Sequence, residues 1–359
     1  MTYIIYIFSL ISSVSFAYLS NKKLKIIDGM NVPKYLVIFL SLMVIALLVG
    51  LRGGNVGVDT YSYITFFNGL DNFNFRDLFA NLLEPGFVFV SFLIKKANLS
   101  VTIYLLIFAI LTLLLFFQFY KNKLELLPWA IFFAFSTGYV FFMMNGLRQA
   151  LAVPLVALSL KYVTDRKLIK FLLLILFASL FHYSALLMLP IYFVNYVSKI
   201  KYQVWIILFV LSIFISPFAY IEHLAGVLSL LPKDYVHYFL KLNLKASKFS
   251  MGFLFHLGIS FLVLYFASQL PLNKYYKNIL SLYFVGVVLM NLTWQSAVLL
   301  RFSVYFTFFQ IPMLSYIMYE LEKKNKLLPI VLIAFLFFVS FSYKIMASDS
   351  GCSPYYLSF

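Results

Sequence analysis

The chain alternates between long apolar runs and short polar breaks. Runs rich in Leu, Ile, Phe and Val cover roughly 3–19, 35–51, 101–119, 128–146, 149–164, 168–182, 184–198, 203–220, 253–270, 278–293, 302–319 and 327–344. About 20 apolar residues carry a helix across the hydrocarbon of a bilayer. Backbone polar groups in lipid must be satisfied within each segment, so each run reads as a helix. The pattern predicts an all-α, polytopic membrane protein with about 12 transmembrane helices. It forms a single integral membrane domain over residues 1–359, with outer loops at 52–84 and 221–252. One more apolar run, 86–94, is too short to cross alone and reads as a re-entrant or tilted half-helix.

The breaks orient the helices. Lys22, Lys23 and Lys25 share one break, Lys161, Arg166, Lys167 and Lys170 another, then Lys199 and Lys201, Lys274 and Lys277, and Lys323, Lys324 and Lys326. Cytoplasmic loops carry an excess of Lys and Arg. These breaks are therefore expected inside and both ends of the sequence outside. The outer loop at 52–84 then holds Arg52, Asp59, Asp71, Arg76, Asp77 and Glu84, while Arg148, His182 and Arg301 fall at other outer helix ends. This map closes only if 86–94 does not cross. The second outer loop carries Lys241, Lys245 and Lys248, which share one face if helical. They read as a solvated or headgroup-facing surface, or as a lid over a site.

Composition narrows the class. At 64% hydrophobic and 11% charged residues, the chain cannot be a water-soluble domain. The net charge of +16 then reflects the positive-inside bias and not nucleic-acid binding. Cys352 is the single cysteine, which excludes an intrachain disulfide or thiolate metal cluster. The first apolar run lacks a basic leader and a clear cleavage site, so it reads as a retained helix.

The chemistry concentrates in a few motifs. "LRGGNVGVDTYSY" places Arg52, three glycines and Asp59 at a helix mouth. "EPGF" sets Glu84 just before an apolar run, and "NGLRQALA" sets Arg148 between two runs with almost no loop. "FHYSALL" and "LLRFSVYF" do the same with His182 and Arg301. A charged side chain at the bilayer centre costs about 2.5–3.5 kcal/mol even on the mild insertion scale, so such residues face cavities, partners or ligands. His256, in "FLFHLGIS", reads as a packed core residue. Arginine is a planar, permanently charged fork suited to phosphate oxygens. Several arginines at one membrane face suit a pyrophosphate, and a lipid-linked sugar fits such a site: tail among helices, pyrophosphate at the interface, sugar outside.

The order and spacing of "LRGGNVGVDTYSY", "EPGF", "NGLRQALAVP", "FHYSALLMLP" and "LLRFSVYF" resembles the EpsG family, the Wzy-like bacterial polysaccharide polymerases. The resemblance runs from Val49 to the end of the Arg301 helix. An arginine followed eleven residues later by glycine, a motif of some O-antigen polymerases, is absent: Ser159 follows Arg148 at that spacing, and Pro312 follows Arg301. The resemblance implies a GT-C-like glycosyltransferase of the bacterial cytoplasmic membrane. It would join repeat units carried on undecaprenyl pyrophosphate, both donor and acceptor, at the outer face. Its product would be O-antigen, capsule or exopolysaccharide, and its neighbours a chain-length regulator and a flippase of the same pathway. On this reading Arg52, Arg148 and Arg301 hold the pyrophosphate. His182 is the favoured base, with Asp59 and Glu84 as alternatives. Tyr61, Tyr63, Gln149, Tyr183 and Tyr305 are weaker candidates for sugar or loop contacts. No carboxylate cluster has metal-ligand spacing, so no metal or other cofactor is expected. A flippase for the same lipid-linked oligosaccharide and a membrane O-acyltransferase are the alternatives; no internal repeat of the transporter kind is found.

Overall fold

The computed structural model describes residues 1–22, 33–72, 83–215, 250–294 and 297–358. Most of the second outer loop, with Lys241, Lys245 and Lys248, lies outside the described residues, as do Arg76 and Asp77. The helices, in chain order, are α1 (Thr2–Ser20), α2 (Lys34–Gly50), α3 (Thr60–Asn68), α4 (Pro85–Lys96), α5 (Val101–Tyr120), α6 (Leu127–Ser136), α7 (Tyr139–Asn145), α8 (Leu147–Thr164) and α9 (Leu168–Ser179). A 3₁₀ helix over Tyr183–Phe193 leads to α10 (Val194–Val197) and α11 (Tyr202–Phe214). Then follow α12 (Met251–Ser268), α13 (Lys274–Thr293), α14 (Ala297–Thr307), α15 (Gln310–Lys323) and α16 (Leu327–Met346). Among the described residues there is no strand, only an isolated antiparallel bridge between Arg52 and Leu357.

Among the described residues five helices, α1, α5, α12, α13 and α16, are long and apolar enough to cross a membrane. The α6–α7 pair makes a sixth if counted as one span despite its 59° bend. Other apolar runs fall on shorter helices or are interrupted. Gly138, at φ +94°, breaks the run at 128–146 into α6 and α7, in a left-handed conformation that glycine adopts without a Cβ clash. Pro312 falls in the first turn of α15, where its missing N–H leaves no bond unmade. The run at 302–319 accordingly ends at Thr307 and restarts at Gln310.

The backbone clusters into two compact units. One comprises Met1–Ser159, Ile169–Leu189 and Leu314–Phe359; the other comprises Leu160–Leu168 and Pro190–Met313. In the second unit α10, α11, α12 and α14 pack on α13. A buried asparagine pair ties it together: the Asn278 amide donates to Asn195 Oδ1 at 2.9 Å, and the Asn195 amide donates to Val163 O at 2.7 Å.

In the first unit α2 packs between α1 and α5, and α6 between α1 and α16. Two ends can be told apart by contacts. At the lysine-bearing end the Asn21 amide donates to Leu124 O at 3.2 Å, and the Trp129 indole donates to Glu322 at 3.0 Å. At the opposite end the segment 350–358 straps the glycine-rich loop. Gly53 N donates to Tyr356 O (2.7 Å), Ser358 N to Leu51 O (3.0 Å) and Gly57 N to Gly351 O (2.8 Å). Tyr6 and Tyr355 anchor the strap from below, donating to Cys352 O and Leu48 O at 2.6 and 2.8 Å. Gly53 eases this approach, since a Cβ there would sit 3.3 Å from Leu357 O, closer than ordinary contact.

The short helix α4 starts and ends on this same strapped side. Its last turn places Lys95 over the Phe67 ring at 5.2 Å, and Phe67 stacks on Tyr104 in the first turn of α5 at 4.4 Å. Its first turn places Phe87 against Phe108, one turn further along α5, at 5.2 Å. Twelve residues rise about 18 Å, well short of the bilayer core. α5 and the bent α6–α7 pair follow α4, and the Arg52 bond to Met144 O brings the loop after α2 back beside the end of α7.

Candidate active site

Glu84 is the residue on which the site is built. It is the N-cap of α4, with Pro85 opening the helix. The next two amides, Gly86 N and Phe87 N, both donate to Leu180 O, at 2.8 and 3.1 Å. A helix start needs partners for its first N–H groups, and here one carbonyl of the α9 exit supplies them. That contact explains the glycine of the motif: a Cβ at position 86 would lie 2.8 Å from both Leu180 O and Leu180 Cβ. The turn after α9 is thereby pinned over the mouth of α4, two residues before His182.

The carboxylate is spent on both neighbours. Glu84 Oε1 lies 2.7 Å from His182 Nδ1 and accepts from Tyr183 N at 3.2 Å. Glu84 Oε2 accepts from Arg148 Nη1 in a short charged bond. The Arg148 guanidinium also lies beside the Tyr63 side chain and 5.7 Å from the Phe87 ring centroid, in cation–π range. The Glu84 side chain is 3% exposed, whereas Arg148 and His182 are 24% and 26% exposed. The acid is therefore enclosed and its two partners reach the surface. Burial raises the Glu84 pKa, but the His182 hydrogen bond and the Arg148 charge outweigh it and hold the carboxyl at about 2. An ionised Glu84 accepts at both oxygens, so a neutral His182 carries its proton on Nδ1 and leaves the Nε2 lone pair free to take one.

The other expected residues fall differently. Arg52 is fully buried. Its Nε donates to Thr60 Oγ1 (3.1 Å), Nη2 to Met144 O (2.9 Å) and Nη1 to Val49 O. It fastens the glycine-rich loop to the end of α7 and presents no surface to a ligand. Asp59 is the partly exposed N-cap of α3. Tyr63 is buried beside Phe87, while Tyr61 is 69% exposed. Gln149 is buried on α8, and Tyr183 is exposed beside His182. Arg301, exposed on α14, and buried Tyr305 belong to the second unit. His256 is buried there against Trp294, ring centroids 6.1 Å apart, in keeping with a core role.

Sequence reasoning missed the supports. Asn145 Oδ1 accepts from Val58 N at 2.6 Å, and its amide donates to Phe141 O at 3.0 Å. Its place three residues before Arg148 was the available signal. Thr60 lies inside the glycine-rich motif but was not singled out, and the strap at 350–358 carried no motif. Among the described residues no three His, Cys, Asp or Glu side chains gather as a metal site would require.

These features define a multi-helix membrane protein with a charged Glu–Arg–His cluster gathered at the start of the short helix α4. The chain belongs to the EpsG family, which matches residues 34–357. This is a family of Wzy-like polysaccharide polymerases, so the protein is a multi-pass membrane polymerase of polysaccharide biosynthesis, acting on lipid-linked oligosaccharide. No curated protein and no solved structure matches the chain.

Proposed function

We propose that the protein joins oligosaccharide repeat units carried on undecaprenyl pyrophosphate, at the outer face of the bacterial cytoplasmic membrane. It would do so in a GT-C-like arrangement of about twelve crossings. The observation that carries the reading is the Glu84 carboxylate held between Arg148 and His182 Nδ1. A hydroxyl of the acceptor sugar attacks the anomeric carbon of the donor. The bond from that carbon to the pyrophosphate oxygen breaks, and the lipid pyrophosphate leaves with the electron pair. His182 Nε2 takes the hydroxyl proton as general base. Glu84 fixes the imidazole and stabilises its charge, as the acid of a catalytic triad does. A carboxyl held at about 2 is too weak a base to take that proton itself. Arg148 stabilises charge growing on the leaving group. Arg52 is reassigned from phosphate ligand to loop anchor.

Purified protein incubated with lipid-linked repeat units and run on a gel tests this directly. Wild type yields a product ladder. His182→Ala loses about 10²–10⁴-fold in turnover while still binding donor, the range for removing a general base. Full turnover by folded His182→Ala with saturating substrates overturns the assignment.

A further inference from the structure

Glu84 does two jobs that compete. One oxygen bonds Arg148 and the other bonds His182. In the absence of substrate the carboxylate therefore sits where a phosphate oxygen would sit on the guanidinium. Arg148 has spare capacity, because its Nε is buried without a hydrogen-bond partner and its side chain is 24% exposed. Tyr63 and the Phe87 face hold the guanidinium in place whichever anion it meets.

We infer that Glu84 is a built-in counter-ion of Arg148 that a substrate phosphate displaces, releasing the carboxylate to His182. This rests on the reading above and adds regulation to it. With no phosphate bound, Arg148 draws on the carboxylate and weakens its hold on the imidazole. Once a dianionic phosphate takes over the guanidinium, His182 is the one charged partner left to Glu84, which better stabilises the imidazolium that forms as the proton arrives. Binding of the anion at one side chain thus primes the base at another. The groups facing this pair are Arg148 on α8, Tyr63 on α3 and Tyr183 at the start of the 3₁₀ helix.

The signature is opposite effects on binding and turnover, which a merely structural glutamate would not give. Farnesyl pyrophosphate and inorganic pyrophosphate are titrated against the full chain in lipid nanodiscs, with thermal unfolding as the check of folding. Glu84→Gln keeps the side-chain shape and removes the competing charge. It is expected to bind farnesyl pyrophosphate about tenfold tighter, roughly the effect of 1.4 kcal/mol, while turnover falls. The gain is expected to vanish in Glu84→Gln/Arg148→Gln. A folded Glu84→Gln that binds no tighter than wild type overturns the exchange and leaves the proposed function standing. Wild type that binds neither probe overturns both. Tightening for inorganic pyrophosphate with no added preference for the prenyl chain supports the exchange and overturns the lipid as the anion's source. If the variant does not accumulate, ¹⁵N-histidine spectra of wild type decide. The chain has four histidines, and the His182 signal is assigned by its loss in His182→Gln. Saturating farnesyl pyrophosphate shifts that signal if the carboxylate is released; an unmoved signal overturns the exchange.

Discussion

Replacing Gly86 by alanine tests whether the site is set by the approach of two backbones. The added Cβ would stand 2.8 Å from Leu180 O and Cβ and 3.1 Å from Leu180 C. Two of these three atoms are backbone, so no rotamer change relieves the clash. Ordinary contact begins near 3.4 Å, so the segments must part by about 0.6 Å, the difference between 3.4 and 2.8. The Phe87 N to Leu180 O bond, 3.1 Å in the native protein, would then stretch beyond hydrogen-bonding range, and the Gly86 N bond, 2.8 Å, would approach its limit. Two weakened bonds at about 1 kcal/mol each, plus about 1–3 kcal/mol of overpacking, give a destabilisation of roughly 3–5 kcal/mol. The larger consequence is for catalysis. Glu84 precedes this contact and His182 follows it, so the strain falls on the 2.7 Å bond between them. A misplacement of about 1 Å can cost 10²-fold in rate, so turnover is expected to fall about ten- to a hundredfold. Gel ladders from purified protein measure the rate, and thermal unfolding in nanodiscs measures stability. Leu180→Gly should rescue only in part, because it removes the Cβ and leaves the carbonyl. Wild-type turnover and stability in Gly86→Ala would refute the reasoning.

Arg52→Met is expected to destabilise the fold by about 3 kcal/mol or more, because the Val49 and Met144 carbonyls lose a charged donor in a buried place. Thermal unfolding checks this, and the folded fraction should keep wild-type affinity for farnesyl pyrophosphate; a loss of affinity without a loss of stability would return Arg52 to the anion site. The Glu84 carboxyl sits at about 2 against an ordinary value of 4.5. Its folded pKa is the lower, so its stabilisation is complete above about 4.5 and is lost as pH falls through about 2. The loss of stability on acidification below about pH 4.5 should therefore be smaller in Glu84→Gln than in wild type, because the variant has no carboxylate to protonate. Equal acid sensitivity of the two proteins would show that the carboxyl is not held below its ordinary value.

The membrane class was legible because hydropathy over twenty residues is a strong, local signal that tertiary packing rarely reverses. The short apolar run at 86–94 was legible for the same reason and forms the twelve-residue α4. The broken run at 128–146 was not. Gly138 looks like any glycine in an apolar run, and its left-handed φ depends on how α6 and α7 pack. The strap was hidden for another reason. Backbone pairing between residues 51–58 and 350–358 uses N–H and C=O groups that every sequence possesses. Glycines 53 and 57 announced a tight approach, but not by what.

Arg52 and Arg148, both in the first unit, show where reasoning from residue type stops. Each lies at a helix end in an apolar setting, and intramembrane cost alone marks both as functional candidates. What separates them is the counter-charge within reach. Arg52 follows α2 directly, so the Val49 carbonyl near the end of that helix is at hand, and Met144 O at the end of α7 completes the fork with Thr60. Carbonyl dipoles of helix C-termini carry partial negative charge, and they absorb the guanidinium without any acid. Arg148 sits instead in the first turn of α8, where the backbone offers N–H groups and no carbonyls. A cation at that end is opposed by the helix dipole and must find an anion. Glu84 is that anion, supplied from the short helix α4, whose own positive end favours a carboxylate. The difference between a loop anchor and a ligand-binding arginine thus follows from which end of a helix each one occupies. The prepared guanidinium is the one that had to borrow its counter-charge.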